Sequence, residues 1–232
     1  MATSSGILFL LVSTLAISIG WSGSTPMTHS FEPEVRAFEF LDRTQPHSPK
    51  PVLFVGSSSI RLWPSLPTAF PGWNVINRGF GGSKMGDLLH FFDRLVPIHR
   101  PSLIFVYEGD NDLAAGLSPN HVALQFEEFL AKCRQQLPGT PVVLMAVKPS
   151  PLRWSLLPVQ QDLNLRLQQL AGAHPGVLFL DMAGPLLESS GLPRPEFFQA
   201  DRLHLNGQGY VVWQSVVFNF LVSCLRDSLP IP

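Results

Sequence analysis

The sequence predicts an α/β fold: a doubly wound five-stranded parallel sheet with helices on both faces. Short, unbroken apolar runs alternate along the chain with longer amphipathic stretches. Strands buried on both faces read as continuous apolar runs, and such strands belong to a parallel sheet covered by helices. Right-handed crossovers then narrow the topology to a doubly wound sandwich. The 232 residues suffice for one well-buried domain. No internal repeat or linker marks a second, so residues 27–232 read as one unit after a leader at 1–26.

Each element has its own signal. Residues 34–42 place Val35, Phe38 and Leu41 on one helical face. Residues 51–55 (PVLFV) are the first buried-type strand, followed at once by Gly56, Ser57, Ser58 and Ser59. Residues 73–77 (WNVIN) form the second, ending in the glycine-rich turn 79–82, and 83–95 suits a helix. The third strand, 102–107 (SLIFVY), runs into Glu108-Gly109-Asp110-Asn111-Asp112. A helix over 119–137 starts on Pro119, a residue suited to a first turn. The fourth strand, 141–147 (PVVLMAV), leads into a proline-rich loop at 148–154. Helix 159–173 and strand 177–181 (VLFLD) come next, then a long loop to Asn206 and a last helix over 207–226.

Composition removes several classes of function. The formal net charge is −1, with 16 Lys and Arg against 17 Asp and Glu. A nucleic-acid binder needs a basic face to displace counterions from phosphate, and this balance offers none. With 22 Pro and 18 Gly, the chain stays below the share that marks low complexity. Cys133 and Cys224 cannot build a disulfide framework or a cysteine-rich zinc site. One bridge between them is open to the sequence, and two buried thiols are the simpler reading.

The leader is the least ordinary part of the composition. No charged side chain occurs before Glu32, and residues 7–20 are almost wholly apolar. That run is short for a bilayer span and right for the apolar centre of a secretory signal, with small residues near Gly20 as a cleavage site. Export to the periplasm or outside the cell is the first reading, although no Lys or Arg precedes the run. A true start at Met27 and an uncleaved anchor are the alternatives. Nothing later in the chain reads as a membrane span.

In open α/β sheets, ligands bind outside the carboxyl ends of the strands. Strand one delivers Ser57, Ser58 and Ser59 to that edge; strand two delivers the turn 79–82; strand three delivers Gly109-Asp110-Asn111. The loop after strand five carries Asp201-Arg202-Leu203-His204. A serine cluster, a turn with available backbone N–H groups, an Asn and an Asp/His pair make up the inventory for acyl transfer. Glu108, Arg153 and Trp154 fall at the same edge and are candidates for lining an acyl or alcohol pocket.

Over residues 33–228 the chain resembles the SGNH (GDSL-type) hydrolases. The blocks that carry the resemblance are Phe54-Val55-Gly56-Ser57-Ser58-Ser59-Ile60, Asn77-Arg78-Gly79-Phe80-Gly81-Gly82, Gly109-Asp110-Asn111 and Asp201-Arg202-Leu203-His204. Each is short, but four in order at the right strand ends form a specific pattern. The resemblance implies the flavodoxin-like strand order 2-1-3-4-5. It also implies Ser58 as nucleophile, His204 as base and Asp201 as its orienting acid. Oxyanion donors would come from the Ser58 and Gly82 backbones and the Asn111 side chain. The reaction it implies is hydrolysis of a small-molecule carboxylic ester, with no metal or organic cofactor. The departure is Ser57, which stands where the family signature has Asp and bears on loop packing. A thioesterase or lysophospholipase would use the same site, and a non-catalytic glycan- or lipid-binding module would need only the scaffold.

Rivals exist for these positions, and Asn111 has the plainer reading of a side chain that caps a turn. Ser59 becomes the nucleophile if the register shifts by one. The turn 79–82 fails as a dinucleotide fingerprint, because position 84 is Lys. Asp87-Leu88-Leu89-His90 repeats the D-x-x-H spacing, but inside an expected helix, where such a pair is ordinary surface decoration.

Overall fold

The structure is a computed structural model that describes Met1 and residues 29–226. The apolar run 7–20 and the cleavage and start points assigned near it lie outside those residues. Five strands form one sheet: β1 (Val52–Gly56), β2 (Val75–Gly79), β3 (Leu103–Tyr107), β4 (Val142–Met145) and β5 (Val177–Leu180). Every pair is parallel, as the apolar strand runs predict, and the order is β2-β1-β3-β4-β5, as the family resemblance implies.

Side-chain alternation divides the core in two. Leu53, Val55, Ile104, Val106, Val142 and Leu144 face one cluster; Val52, Phe54, Leu103, Phe105, Val143 and Met145 face the other. Burial on both faces explains why these strands read as continuous apolar runs. The first cluster is roofed by α3 (Met85–His90), α4 (Phe92–Leu95), α6 (Pro119–Gln136) and α7 (Leu157–Ala173), with Val35 of α1 (Glu32–Thr44) joining it. The second is roofed chiefly by α8 (Gly207–Arg226), through Trp213, Val217 and Leu221. There Phe54 stacks on Phe105 with centroids 4.4 Å apart, and Trp213 Nε1 donates to the Met182 carbonyl at 2.9 Å.

Local chemistry sets the helix ends. Ser118 accepts a hydrogen bond from the His121 N–H and Pro119 opens α6, an N-cap followed by a proline that needs no donor. The helix expected over 83–95 is two helices, because Phe91 leaves helical geometry (φ −96°, ψ 8°). Phe91 and Phe92 would sit about 100° apart on an unbroken helix; the break lets both enter the core. A further short helix, α5 (Asp110–Ala114), succeeds β3, and five residues are too few to show a helical period in sequence. Strand β2 begins and ends two residues later than expected.

No disulfide joins Cys133 and Cys224. Both are buried, on α6 and α8, which lie on opposite faces of the sheet. Burial pushes the Cys133 thiol up to about 12, so it stays protonated. Among the described residues no helix is long and apolar enough to cross a membrane.

Candidate active site

Strand register brings the functional segments to one edge. Gly56 pairs with Gly79 on one side and with Tyr107 on the other, so β1, β2 and β3 end at the same level. The segments that leave these three strands are therefore neighbours in space.

After β1 the chain turns directly into α2 (Ser58–Arg61). Gly56 makes the turn possible: its φ is +139° and its Cα lies against the Tyr107 carbonyl, where no side chain fits. Ser57 and Ser59 are buried at 2% and 3% exposure, which removes Ser59 as the reachable hydroxyl. The Tyr210 hydroxyl holds this segment by donating to the Ser59 carbonyl at 3.0 Å. Ser58, half-buried, places its Oγ 3.0 Å from His204 Nε2.

On the far side of the ring, His204 Nδ1 lies 2.6 Å from Asp201 Oδ2. A carboxylate only accepts, so Nδ1 carries the proton and Nε2 is left to accept from Ser58. The other Asp201 oxygen accepts from the Leu203 and His204 N–H groups at 2.9 and 3.0 Å. Desolvation pushes the Asp201 carboxyl up. The hydrogen bonds from the His204 ring and these two amides outweigh it and hold the group at about 2. Asp201 is thus an anion fixed against one ring nitrogen.

The segments that carry the donors expected for an oxyanion leave the ends of β1, β2 and β3, which are neighbours in the sheet. Among the described residues, the N–H groups of Ser58 and Gly82 have no acceptor. Gly82 adopts φ +85°, and nothing lies within 4 Å of where a side chain would project. Asn111, on α5, donates from Nδ2 to the Ser83 carbonyl at 2.9 Å, leaving its second amide hydrogen available. Its Oδ1 accepts from Arg153 Nη2 at 3.0 Å.

The three pocket candidates separate. Glu108 is fully buried and within 2.6 Å of Ser83 Oγ, so the expectation that it lines a pocket is corrected: its carboxyl meets no solvent. Burial first, and the neighbouring Asp112 carboxylate second, raise its pKa well above the ordinary range. Among the described residues Glu108 Oε2 has no hydrogen-bond partner, which adds to the cost of a buried charge there. Ser83 Oγ donates to Glu108 Oε1 at 2.6 Å, and the Phe80 carbonyl lies 3.0 Å from the same hydroxyl. Arg153 is occupied by Asp110 at 2.9 Å and by Asn111, while Trp154 is half-buried on a short turn beside it.

The rival D-x-x-H is not assembled. Asp87 pairs with His29 at 3.2 Å and accepts from the Lys84 N–H, while His90 stacks on His29. A recess of about 880 Å³ lies elsewhere, at the amino edge of the sheet between Lys50, Arg100 and Gly139. Among the described residues no group of three or more His, Cys, Asp or Glu is arranged to hold a metal ion.

A serine, histidine and carboxylate stand in line at the carboxyl edge of a doubly wound sheet, an arrangement chemically able to support acyl transfer. Residues 54–212 match the model of the GDSL-like lipase/acylhydrolase family, and the chain belongs to that family. Solved structures share the fold. A protein of Streptococcus pneumonia superposes with TM-score 0.73 at 23% identity, covering 82% of this chain and 92% of its own. A GDSL-like lipase from Bacteroides thetaiotaomicron gives 0.71 at 20%, covering 82% and 98%. An acetyl-xylooligosaccharide esterase from Geobacillus, as a mutant, gives 0.62 at 15%, covering 75% and 94%. At these identities the likeness is one of fold. No curated protein matches the sequence.

Proposed function

We propose that the chain is a serine esterase cleaving a carboxylic ester that carries a small or carbohydrate-linked acyl group. The observation that carries this reading is the Ser58–His204–Asp201 line, 3.0 Å and 2.6 Å between successive groups. His204 takes the proton from Ser58 as Oγ attacks the ester carbonyl, then returns it to the leaving alkoxide. Asp201 stabilises the imidazolium and fixes the tautomer. The Ser58 and Gly82 N–H groups and the Asn111 amide stabilise the tetrahedral oxyanion. Water, activated by His204, then releases the acyl group. The role given to Ser57 is structural, since it is buried.

Acetylated sugars are the first substrates to try, because one protein of the same fold acts on acetyl-xylooligosaccharide by its name. The test is labelling by a fluorophosphonate probe together with a screen of acetylated sugars, lysolipids and acyl-thioesters. Probe attachment at Ser58, with turnover of an acetyl ester, supports the reading. Folded protein that neither labels nor turns over any ester refutes it. Turnover confined to thioesters or lysolipids moves the substrate class and keeps the mechanism. Export rests on the leader, and N-terminal sequencing of protein recovered from the native compartment tests it.

A further inference from the structure

The proposed reaction leaves a buried cation beside the site unused. Lys148 lies just beyond β4 at 1% exposure, and its Nζ donates to the Leu203 carbonyl at 3.0 Å. Leu203 sits between Asp201 and His204, in a segment whose Asp201 and Arg202 are exposed and whose Arg202 backbone is left-handed (φ +60°). A buried ammonium needs a counter-charge, and Asp110 Oδ2 lies 3.9 Å away. Burial lowers the pKa of Lys148, and the Asp110 carboxylate opposes that shift.

Asp110 is shared. Arg153 Nη1 reaches its Oδ2 at 2.9 Å and Gln160 Nε2 donates to its Oδ1 at 3.3 Å. The same guanidinium donates to Asn111 Oδ1, and Asn111 Nδ2 donates to the Ser83 carbonyl. A chain of hydrogen bonds joined by two ion pairs at Asp110 therefore runs from the Leu203 carbonyl, through Lys148, Asp110, Arg153 and Asn111, to the turn that carries Gly82. At one end is the loop of the acid and base. At the other are the oxyanion donors.

We propose that Lys148, Asp110 and Arg153 are positioning residues that hold the acid–base loop and the Asn111 amide in register with each other. The inference rests on the serine-esterase reading above. Lys148 acts on His204 through the Leu203 carbonyl, and Arg153 acts on the oxyanion through Asn111. A displacement of about 1 Å in such a group can cost ~10²-fold in rate. Lys148→Met removes one partner of a buried pair, a change that can be strongly destabilising, although Asp110 keeps Arg153. Were the network only structural, that loss would appear in stability and the rate of the folded protein would stay intact.

The two ends of the chain have different kinetic signatures. His204 acts as base toward Ser58 with every ester, but as acid toward the leaving group it matters most when the alkoxide is poor. Lys148→Met is expected to lower kcat about 10-fold on p-nitrophenyl acetate and about 100-fold on an alkyl acetate, with KM within about 2-fold. Arg153→Met is expected to lower kcat on both esters by one common factor, and Arg153→Lys to recover part of it. Should Lys148→Met fail to fold, the Arg153 pair carries the test, since that side chain is 19% exposed and tolerates replacement more readily. Unchanged kcat in folded Lys148→Met, or an equal loss on both esters, overturns the inference. So does an Arg153→Met variant that changes KM alone, which would make Arg153 a substrate contact. A wild type inactive on every ester refutes the esterase reading and this inference together; an active wild type with indifferent variants refutes this inference only.

Discussion

Gly56 meets the Tyr107 carbonyl so closely that a side chain at position 56 would collide with it. This contact lets β1 end level with β3 and turn at once into the Ser58 segment. Gly56→Ala adds that collision to an unfavourable left-handed backbone, and is expected to cost at least about 2 kcal/mol. Gly139→Ala is the control: its φ is +84° but open space surrounds it, so about 1 kcal/mol is expected. Urea midpoints compare the two, and equal losses would show that the Tyr107 approach is unimportant.

Removing one of the donors proposed for the oxyanion should slow turnover without unfolding the protein. Asn111→Ala is expected to lower kcat by ~10²–10³, while Asp201→Asn, which allows the wrong imidazole tautomer, lowers it by ~10⁴. Steady-state kinetics on an acetyl ester, with far-UV circular dichroism as a folding check, measure both. If Asn111→Ala raises only KM, the amide touches the substrate rather than the developing charge.

Much of this site was legible because topology and motif order agree. Strand ends bring Ser58, Gly82 and Asn111 together, and a loop after the last strand brings Asp201 and His204. Burial decides what spacing alone could not: Ser57 and Ser59 are closed to solvent and Glu108 points inward. The polar chain from Leu203 to Asn111 was hidden for a physical reason. Lys148 and Arg153 both come after β4, but a lone cation after a strand carries no pattern, and its partners lie about forty or more positions away. The break at Phe91 was equally hidden, since it arises from two adjacent rings competing for one core.

The two D-x-x-H sequences make opposite predictions. His204→Ala is expected to abolish turnover, because no other imidazole among the described residues lies within hydrogen-bond reach of Ser58. His90→Ala should retain most activity, since Asp87 is paired with His29 and not with His90. Parallel assays of the two purified variants decide it. Loss in His90→Ala with activity kept in His204→Ala would reverse the assignment.

Acid stability should depend on a histidine remote from the site. The His99 side chain is almost fully buried, and its Nε2 lies 3.7 Å from an Asp42 oxygen. Asp42 on α1 is also engaged by Arg78 of β2 and by His47 at 3.1 Å. Burial pushes His99 down to about 4 from an ordinary 6.5; the Asp42 carboxylate opposes the shift, and Arg78 and His47 add to it. Between those two values the unfolded chain binds a proton at this position that the folded chain refuses, so stability falls as pH drops from about 6.5 toward 4. His99→Leu removes that dependence while keeping the site filled and neutral. Its melting temperature should therefore fall less over that interval, by about 3 °C or more relative to wild type. The raised carboxyls of Glu108 and Asp112 act in the opposite direction over part of the same range. They are common to both proteins and cancel from the difference. Parallel acid slopes in thermal melts of the two proteins would mean that His99 takes its proton in the fold without cost.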